Sequence, residues 1–375
     1  MKKMSVMTMD LKEFGAGITQ LIGKQNLSRD KAKAMFVQVL TNQQPDLQQG
    51  AFLSALTAKG ETAEEIAGSW EAIYELDTVK VVPDVRGCLV ENSGTGMDTV
   101  KTFNISTAAA IIAAAAGIMM AKHGSRAITS FCGTIDVLEE VGIDMECAPD
   151  IVKGSIEKTG IGIFNGMSPQ VHPKALGRIL SQIAFGTTLN IAASLANPAA
   201  PQYAVRGVYD RELVVPVAKV MKEIGFKRAL VVFGSDQNGL KGMDEASTLG
   251  ETYVAELKES GEIVQYTLTP EEFGIRKPDK KELSPSGNCR QEALRLLSIL
   301  SGRGTEACTD IVCLNAALIL YLMDKAPTIA EGVRLAGEII QNGQAIRKLK
   351  EWVGAQNTDP TAGSAKLDQL LGQIQ

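Results

Sequence analysis

The 375-residue sequence predicts an α/β protein with a small N-terminal helical domain and a large α/β domain, in which helices cover a mostly parallel central sheet. Two observations predict this class. The first eighty residues carry apolar positions at helical spacing, whereas from Cys88 onward short apolar strands alternate with helices. The expected boundaries are 1–80 for the helical domain, joined by helices from about 172–195, and 81–375 for the α/β domain.

Capping residues divide the N-terminal region into helices. Ser28 can cap a helix over RDKAKAMFVQVL, Asp46 opens the next helix, and Thr62 with Glu65 forms a capping box before IAGSWEAIYEL. These helices predict a small bundle with an apolar face. That face either packs on the main domain or pairs two subunits, and the pattern alone does not decide between them.

The second region alternates between strands and helices. The predicted strands are CLVEN, IMMAKHG and RALVVFG, and the predicted helices are STAAAIIAAAAG, IDVLEEVG and DRELVVPVAKVMKEIG. The segments ETYVAEL and EIVQYTL form a hairpin at the sheet edge. We expect RKPDKKELSPSGN to be a mobile linker, the tail from TDIVCLNAALILYLM to be helical, and the last twenty residues to fray.

Charge and cysteine content limit the possible functions. The formal net charge of −5 argues against nucleic acid or an anionic membrane as the main partner. The start, MKKMSVMTMDLKEF, lacks the apolar core of a secretory signal, and the alanine-rich ISTAAAIIAAAAGIMMA favours a buried helix over a membrane span. The six scattered cysteines contain no C-x-x-C pair, which argues against zinc and predicts reduced thiols in a cytoplasmic protein.

A candidate anion-binding loop, NSGTGMD, follows a predicted strand and precedes a helix. Glycines let the backbone approach an anion, and free N–H groups at a helix start point towards it. Ser106 and Thr107 stand at that helix start, where their hydroxyls can bind phosphate or a magnesium ion. A tight turn without a ligand remains the alternative.

Two more charged loops follow predicted strands. In KHGSR, Lys122 supplies positive charge, Arg126 either adds to it or forms an internal ion pair, and His123 can equally be a core histidine. In GMDEAS, expected to be an open loop, Asp244 and Glu245 offer hard oxygen ligands suited to magnesium. Because ligands bind beyond the carboxyl ends of the strands in α/β sheets, the loops predict a site for a polyphosphate and a divalent ion.

Ordered blocks along nearly the whole chain resemble the anthranilate phosphoribosyltransferase family. They include GTGMDTVKTFNISTAAA, AKHGSRAITSFCGTIDVLEEVGI, SPQVHPKALGRI, SLANPAAPQYAVRGVYDREL, GMDEAS and TPEEFGI. The resemblance implies a phosphoribosyltransferase/nucleoside phosphorylase-like fold and a homodimer formed through the helical domain. It also implies that phosphoribosyl pyrophosphate (PRPP) binds with Mg²⁺, and that an aromatic amine attacks the ribose C1 as pyrophosphate leaves.

The resemblance assigns the donor half of the site residue by residue. The residues expected to bind PRPP are Gly94, Thr95, Gly96, Asp98, Asn104, Ser106, Thr107, Lys122 and Thr134. Those expected to hold magnesium are Ser106, Asp244 and Glu245. Lys122 and His123 are the candidate catalytic residues: the lysine stabilises the leaving pyrophosphate, and the histidine serves as a base only if the acceptor needs one.

The acceptor half departs from the family pattern. Ser125 replaces the asparagine of K-H-G-N-R, which contacts anthranilate in the family. Ten residues after His172, Gln182 replaces an arginine that pairs with the anthranilate carboxylate, and a second arginine is lost from the shortened TTLNIAASL. An amide supplies neither the charge nor the fork of a guanidinium. In addition, Met97 replaces a glycine of the anion loop, and Phe131 replaces a lysine.

Four functions therefore stay open. The preferred one is transfer of phosphoribosyl from PRPP to the nitrogen of an aromatic acceptor other than anthranilate, with Ser125, His172, Arg178 and Gln182 on the acceptor side. The second is anthranilate phosphoribosyltransferase itself, with Arg178 supplying the carboxylate contact one helical turn before Gln182. The third is a non-catalytic homologue that binds nucleic acid or another polyanion, and a nucleoside phosphorylase is a more distant fourth.

Overall fold

The computed structural model describes residues 9–96, 98–126, 132–183, 185–239 and 241–374. The replacements at Met97 and Phe131 lie outside the described residues. The chain divides into two compact units. The first unit comprises Met1–Lys80, Gly166–Pro198 and Lys219–Gly225, and the second comprises Val81–Asn165, Ala199–Ala218 and Phe226–Gln375.

The regular elements follow the chain in this order. The helices are α1 Leu11–Ile22, α2 Arg29–Leu40, α3 Asp46–Lys59, α4 Ala63–Leu76, α5 Ile105–Ala115, α6 Thr134–Glu140, α7 Pro149–Thr159, α8 Leu176–Leu180, α9 Thr188–Ala192, α10 Val214–Glu223, α11 Lys280–Leu283, α12 Cys289–Leu300, α13 Glu306–Leu322, α14 Ile329–Gln341, α15 Gln344–Ala355 and α16 Pro360–Leu371. The strands are β1 Leu89–Ser93, β2 Met119–Gly124, β3 Ile161–Asn165, β4 Tyr203–Gly207, β5 Arg228–Ser235, β6 Gly242–Met243, β7 Thr252–Leu257 and β8 Ile263–Leu268.

The first unit is a helical bundle with an aromatic centre. The Ser28 cap and the capping box of Thr62 and Glu65 are both present, as the sequence predicts. The ring of Phe52 meets those of Phe14 and Phe36 edge to face, with centroids 5.6 and 5.0 Å apart, a favourable arrangement for buried aromatic rings. The predicted helices thus form the expected bundle.

The second unit is built on an eight-stranded sheet of order β3-β2-β1-β4-β5-β7-β8, with β6 paired to β5. The first five strands of this order are parallel. Beyond them, β7 pairs antiparallel with β5, and β8 pairs antiparallel with β7 as the predicted edge hairpin. The predicted fold class is therefore confirmed.

The alanine-rich helix α5 lies inside the second unit. Nine of its residues are buried, from Ile105 to Ala114, and it packs chiefly against α13. Its apolar run is therefore core, as predicted. Among the described residues, no helix has the length and apolar character that crossing a membrane requires.

Several features of the second unit differ from the sequence interpretation. The strands β3 and β4 are absent from that interpretation. The expected linker contains the short helix α11, whose Leu283 is buried, and the expected frayed end contains α16, which buries Leu367 and Leu370. The expectation of reduced thiols is wrong for Cys132 and Cys289, which form a disulfide across 157 residues of sequence because the fold brings their Cα atoms to 5.3 Å.

Candidate functional site

The predicted anion loop and the acidic loop meet at the carboxyl edge of the parallel strands. A Cβ atom at Gly94 would collide with the carboxylate of Asp244, and one at Gly207 would collide with the Asp244 carbonyl. A Cβ at Gly234 would likewise strike the Glu245 carbonyl. Three glycines at the ends of β1, β4 and β5 therefore let the acidic loop lie directly on the strand ends.

Hydrogen bonds join these two loops. The N–H of Gly96, a residue with φ of 74°, donates to Asp244 Oδ2 at 2.6 Å. The N–H groups of Thr99 and Val100 both donate to the Gly242 carbonyl, at 3.0 and 2.9 Å. A loop N–H that holds a carboxylate oxygen has the geometry to hold an oxygen of another anion.

The acidic pair is not on an open loop, so that expectation is wrong. Its loop begins directly after β6, where Met243 pairs with Gly234 of β5, and this pairing draws the acids inward. Asp244 is only 8% exposed, and Oε2 of Glu245 is completely buried. The sequence could not show this, because it depends on pairing between β5 and a two-residue strand.

Burial and mutual repulsion perturb the acids of this edge. Burial raises the pKa of the Glu245 carboxyl well above its usual range, and the charges of Asp244 and Asp98 raise it further. Burial also raises the pKa of Asp98, with Asp244 adding to the effect and Lys101, 2.9 Å away, opposing it. A divalent cation held by the acidic pair together with a bound anion would relieve both costs.

Lys122 is a buried cation fixed to the start of α5. Its Nζ donates to the Asn92 carbonyl and to Asn92 Oδ1 at 2.6 and 2.8 Å, and Asn92 Nδ2 donates to the Ser106 carbonyl at 2.7 Å. Burial lowers the pKa of Lys122 to about 8, although Glu91 and Glu245 favour its charged form. Burial thus brings the titration of this lysine closer to neutral pH than that of an exposed lysine.

The start of α5 carries the other predicted donor ligands. Asn104 caps the helix, since its Oδ1 accepts a hydrogen bond from the Thr107 N–H at 3.3 Å. Three buried side-chain oxygens, Thr95 Oγ1, Thr107 Oγ1 and Glu245 Oε2, make no hydrogen bond. Buried polar atoms are nearly always paired, so three of them in these loops indicate the place of a polar ligand.

The residues fit a polyphosphate with a hard cation. Backbone N–H groups, two hydroxyls and Lys122 offer donors to phosphate, and two carboxylates offer ligands to magnesium. Among the described residues, no group of three or more His, Cys, Asp or Glu side chains could hold a metal ion. A divalent ion here would therefore share the oxygens of a bound polyphosphate, as Mg²⁺ commonly does.

The segment around β2 places its predicted residues differently. Thr134 begins α6 and lies beside Gly124, where a Cβ atom would approach its Cγ2 to 3.4 Å. Ser125 is exposed. His123 is buried and, because successive strand residues face opposite sides, points away from the sheet face of Lys122.

The sequence left open whether Arg126 adds positive charge to the anion site or forms an internal ion pair. Its guanidinium forms ion pairs with Asp136, Glu139 and Glu146. It is therefore an internal ion-pair partner.

The remaining acceptor-side residues belong to the first unit. Nδ1 of His172 lies 2.9 Å from the Asp77 carbonyl, and burial lowers the pKa of this imidazole. Arg178 donates from Nη2 to the Val39 carbonyl at 2.7 Å and from Nη1 to Gln49 at 3.3 Å. The histidine and the arginine therefore make structural contacts within the bundle.

Gln182 is exposed, and its backbone N–H donates to the Ile179 carbonyl at 3.0 Å. It follows α8 directly. The predicted acceptor residues are thus divided between the units, with Ser125 in the second and the other three in the first.

Comparison with known proteins identifies the family. The glycosyl transferase family a/b domain matches residues 86–346, and the family's helical bundle domain matches residues 17–76. The anthranilate phosphoribosyltransferase of Methanococcoides burtonii is 41% identical over 90% of this chain and 92% of its own length. That of Methanocorpusculum labreanum is 38% identical over 90% and 96%. The chain belongs to the anthranilate phosphoribosyltransferase family of glycosyl transferases.

Solved structures of the family agree with this assignment. The enzyme from Thermus thermophilus superposes with a TM-score of 0.81 at 31% identity, covering 91% of this chain and 99% of that one. The Saccharomyces cerevisiae enzyme in complex with PRPP and Mg has a TM-score of 0.79 at 24% identity, covers 92% and 98% of the two chains, and shows the shared fold.

Sequence reasoning on this family member missed three residues of the edge: Glu91, Asn92 and Arg206. Each is nearly or wholly buried at the carboxyl end of a strand. The available signal was a polar side chain closing an apolar run, in LVENS and in YAVRG. A buried charge at a strand end needs a partner or a ligand, so such positions merit attention.

Proposed function

We propose that the protein transfers the 5-phosphoribosyl group from PRPP to the nitrogen of an aromatic acceptor, in a magnesium-dependent reaction. The observation that carries the proposal is an unpaired buried oxygen in each of three segments of the carboxyl edge: the predicted anion loop, the start of α5 and the acidic loop. Asn92 joins Lys122 to the second of these segments. The yeast relative in complex with PRPP and Mg supports the same donor and ion.

The donor half of the site binds and orients PRPP. The N–H groups of Gly94 and Thr95 would donate to phosphate oxygens, and that of Gly96, which donates to Asp244 Oδ2 in this structure, would turn to a phosphate oxygen when PRPP binds. The hydroxyls of Ser106 and Thr107 would add donors at the start of α5. The carboxylates of Asp244 and Glu245 hold Mg²⁺, which Ser106 can also ligate. When bound, this ion neutralises charge on the pyrophosphate leaving group.

Lys122 stabilises the charge that develops as pyrophosphate leaves. Two oxygens of Asn92 already hold its ammonium group in the buried site, so the lysine does not have to reorient during the reaction. An arylamine nitrogen is already a nucleophile, so the acceptor needs orientation rather than a strong base. His123 acts as a base only for a heterocyclic N–H acceptor.

The acceptor we propose is an aromatic compound other than anthranilate. Gln182 replaces the expected guanidinium, and Arg178 donates its hydrogen bonds within the bundle instead. Loss of one charge-assisted hydrogen bond to the acceptor carboxylate costs about 2–3 kcal/mol, or roughly 30- to 150-fold in affinity. A neutral acceptor avoids the desolvation cost that an uncompensated carboxylate carries.

The second candidate is anthranilate phosphoribosyltransferase activity. The relatives favour it, since those cited above carry that name at 38–41% identity over nine-tenths of this chain. In this case another donor holds the acceptor carboxylate.

We further propose a homodimer formed through the helical unit. Leu11, Ile22 and Leu47 are apolar side chains on α1 and α3 with exposed fractions of 52%, 68% and 88%. A second copy of the chain would remove these apolar side chains from water.

Calorimetry with PRPP tests the donor half. We expect binding with Mg²⁺ and little binding with a chelator, because the buried acids repel the donor without the ion. Equal affinity in both conditions would remove the metal from the proposal. A pyrophosphate-release screen with aromatic amines and azoles, using a no-acceptor control, then identifies the acceptor, and absence of acceptor-dependent release would argue against transferase activity.

A further inference from the structure

Arg206 is a buried cation that the assignments above do not use. It is the fourth residue of β4, a strand that is buried along its whole length, and it is only 1% exposed. A buried arginine is costly unless its charge is compensated, so its partners indicate its role. Its Nη1 donates to Ser93 Oγ at 2.6 Å.

Ser93 connects Arg206 to the glycine loop, which is the segment NSGTGMD that the sequence predicts to bind an anion. It is the last residue of β1, it pairs with Arg206 in the parallel ladder, and Gly94 follows it. Ser93 Oγ in turn donates to Glu91 Oε1 at 3.4 Å. The guanidinium therefore holds the side chain of the residue at which β1 ends and the loop begins.

Arg206 and Lys122 occupy opposite faces of the sheet at the same edge. Partners in a parallel ladder face the same side, which puts Arg206 with Ser93 and Glu91. Lys122 bonds to Asn92, whose side chain points to the other face because it lies between Glu91 and Ser93. Arg206 and Lys122 therefore place a buried cation on each face of the sheet at its carboxyl edge.

The charge of Arg206 acts on the acids of the edge. Glu91 and Asp244 attract the guanidinium, and Asp244 is the carboxylate that accepts the Gly96 N–H. Without this cation, the edge would gain one unit of negative charge beside the proposed magnesium ligands. Such a charge attracts a lone metal ion and repels a polyphosphate.

We propose that Arg206 is a positioning residue for the donor site: it anchors the start of the glycine loop through Ser93 and offsets the charge of Glu91 and Asp244. Its effect on the two ligands of the site is opposite in sign. It weakens binding of a divalent ion alone and strengthens binding of the anionic donor. This inference rests on the proposed function, because it concerns the PRPP and metal sites.

The test compares the wild-type protein with Arg206→Met. Mn²⁺ binding to the protein alone is measured by water-proton relaxation, and PRPP binding at saturating Mg²⁺ by calorimetry. We expect the Mn²⁺ affinity to rise about three- to tenfold and the PRPP affinity to fall about tenfold. A residue that only supports folding would lower both affinities together, so a shift of both in one direction, or of neither, overturns the proposal.

Further variants separate charge from hydrogen bonding. Arg206→Lys keeps the charge, so its Mn²⁺ affinity should stay within about twofold of wild type. The double variant Glu91→Gln with Arg206→Met removes one charge of each sign and should return both affinities towards wild type. If Arg206→Met does not fold, these two variants test the proposal. The proposal is overturned if Arg206→Lys binds Mn²⁺ about threefold or more tightly than wild type. It is also overturned if the double variant differs from wild type in opposite directions for Mn²⁺ and PRPP.

The matched control is Arg228→Met. Arg228 begins β5 and pairs with Tyr203 at the amino end of β4, so its loss changes the net charge equally but at the opposite edge. The affinities for Mn²⁺ and PRPP should both remain unchanged in this variant. A response like that of Arg206→Met would show that the effect comes from the net charge of the protein alone, and it would overturn the proposal. Failure of the wild type to bind PRPP would instead reject the proposed function, while the Mn²⁺ measurements would still test Arg206.

Discussion

At the residue scale, the lowered pKa of Lys122 predicts that PRPP binding at the proposed donor site depends on pH. With a pKa of about 8, the lysine is expected to lose its proton in the alkaline range. Because the cation attracts pyrophosphate and the neutral amine does not, PRPP affinity should fall above this pH, by up to about tenfold per pH unit. Calorimetry between neutral and alkaline pH, with Mg²⁺ present, measures this. In Lys122→Met the affinity should be lower at neutral pH and the inflection should vanish; an unchanged inflection would assign it to another group.

We predict that the Glu245 side chain lowers the stability of the folded protein but is needed to bind the metal ion. The pKa of this carboxyl is higher in the folded protein than in the unfolded chain. Its ionisation in the folded state therefore lowers the free energy of unfolding, fully so above the folded-state pKa. This loss of stability disappears as the pH falls towards the unfolded-state pKa. Glu245→Gln should therefore raise the Tm at pH 8, by about 2–4 °C per kcal/mol gained, and raise it less at pH 5. The same variant should lose Mg²⁺-dependent PRPP binding.

Thermal unfolding at both pH values checks the Glu245 prediction. The control is Glu251→Gln, since Glu251 is an exposed acid six residues later and should change neither property. A lower Tm for Glu245→Gln at pH 8 would contradict the prediction, because it would show that neighbouring groups compensate the charge of the buried carboxylate.

At the element scale, the acidic loop depends on glycines at the strand ends. Gly207→Ala would place a methyl group against the Asp244 carbonyl, so the loop or β4 must shift. We expect a loss of about 1–3 kcal/mol in stability, as for overpacked sites, and a loss of Mg²⁺-dependent PRPP binding. Denaturant unfolding and calorimetry measure the two effects.

The matched control for Gly207→Ala is Gly154→Ala in α7. A Cβ at Gly154 meets no atom within 4 Å, so this substitution should be neutral or stabilise the helix by about 0.5–1 kcal/mol. If Gly207→Ala behaves like the control, close packing of the acidic loop on β4 is contradicted.

Elements with strong local periodicity were predictable from sequence, and those defined by distant contacts were not. The capped helices and the β7–β8 hairpin follow from spacing and turn residues. By contrast, β3 and β4 are five-residue strands buried on both faces, which removes the alternation that marks a strand. Burial of Asp244 and the disulfide of Cys132 follow from pairing across the fold, which one sequence does not display.

At the scale of the whole molecule, we predict a dimer that depends on the helical unit. Light scattering at micromolar concentration should give twice the mass of one chain. Ile22→Glu with Leu47→Glu should produce a monomer, because charge in an apolar interface is poorly solvated. The control Val82→Glu alters an equally exposed side chain, 82% against 88% for Leu47, in the other unit and should leave the dimer intact. A monomeric wild type would contradict the proposal.

The donor loops of the candidate site were predictable because they match a family pattern in order, whereas the acceptor was not. The residues predicted to bind the acceptor are divided between the two units of the chain, and the family pattern is altered at Ser125 and Gln182. We therefore expect Gln182→Arg with Ser125→Asn to raise any anthranilate activity by about tenfold or more, and to weaken use of the native acceptor. Initial rates with both acceptors measure this, and no gain with anthranilate would mean that these positions do not determine acceptor choice.

The most direct test of the altered-acceptor proposal is the specificity constant of the wild-type protein for anthranilate. It is obtained from initial rates of phosphoribosyl-anthranilate formation with saturating PRPP and Mg²⁺. We predict a kcat/KM well below about 10⁴ M⁻¹s⁻¹, the lower end of the ordinary enzyme range. A value at or above about 10⁴ M⁻¹s⁻¹ would contradict the altered acceptor and establish the protein as an anthranilate phosphoribosyltransferase in activity as well as in family.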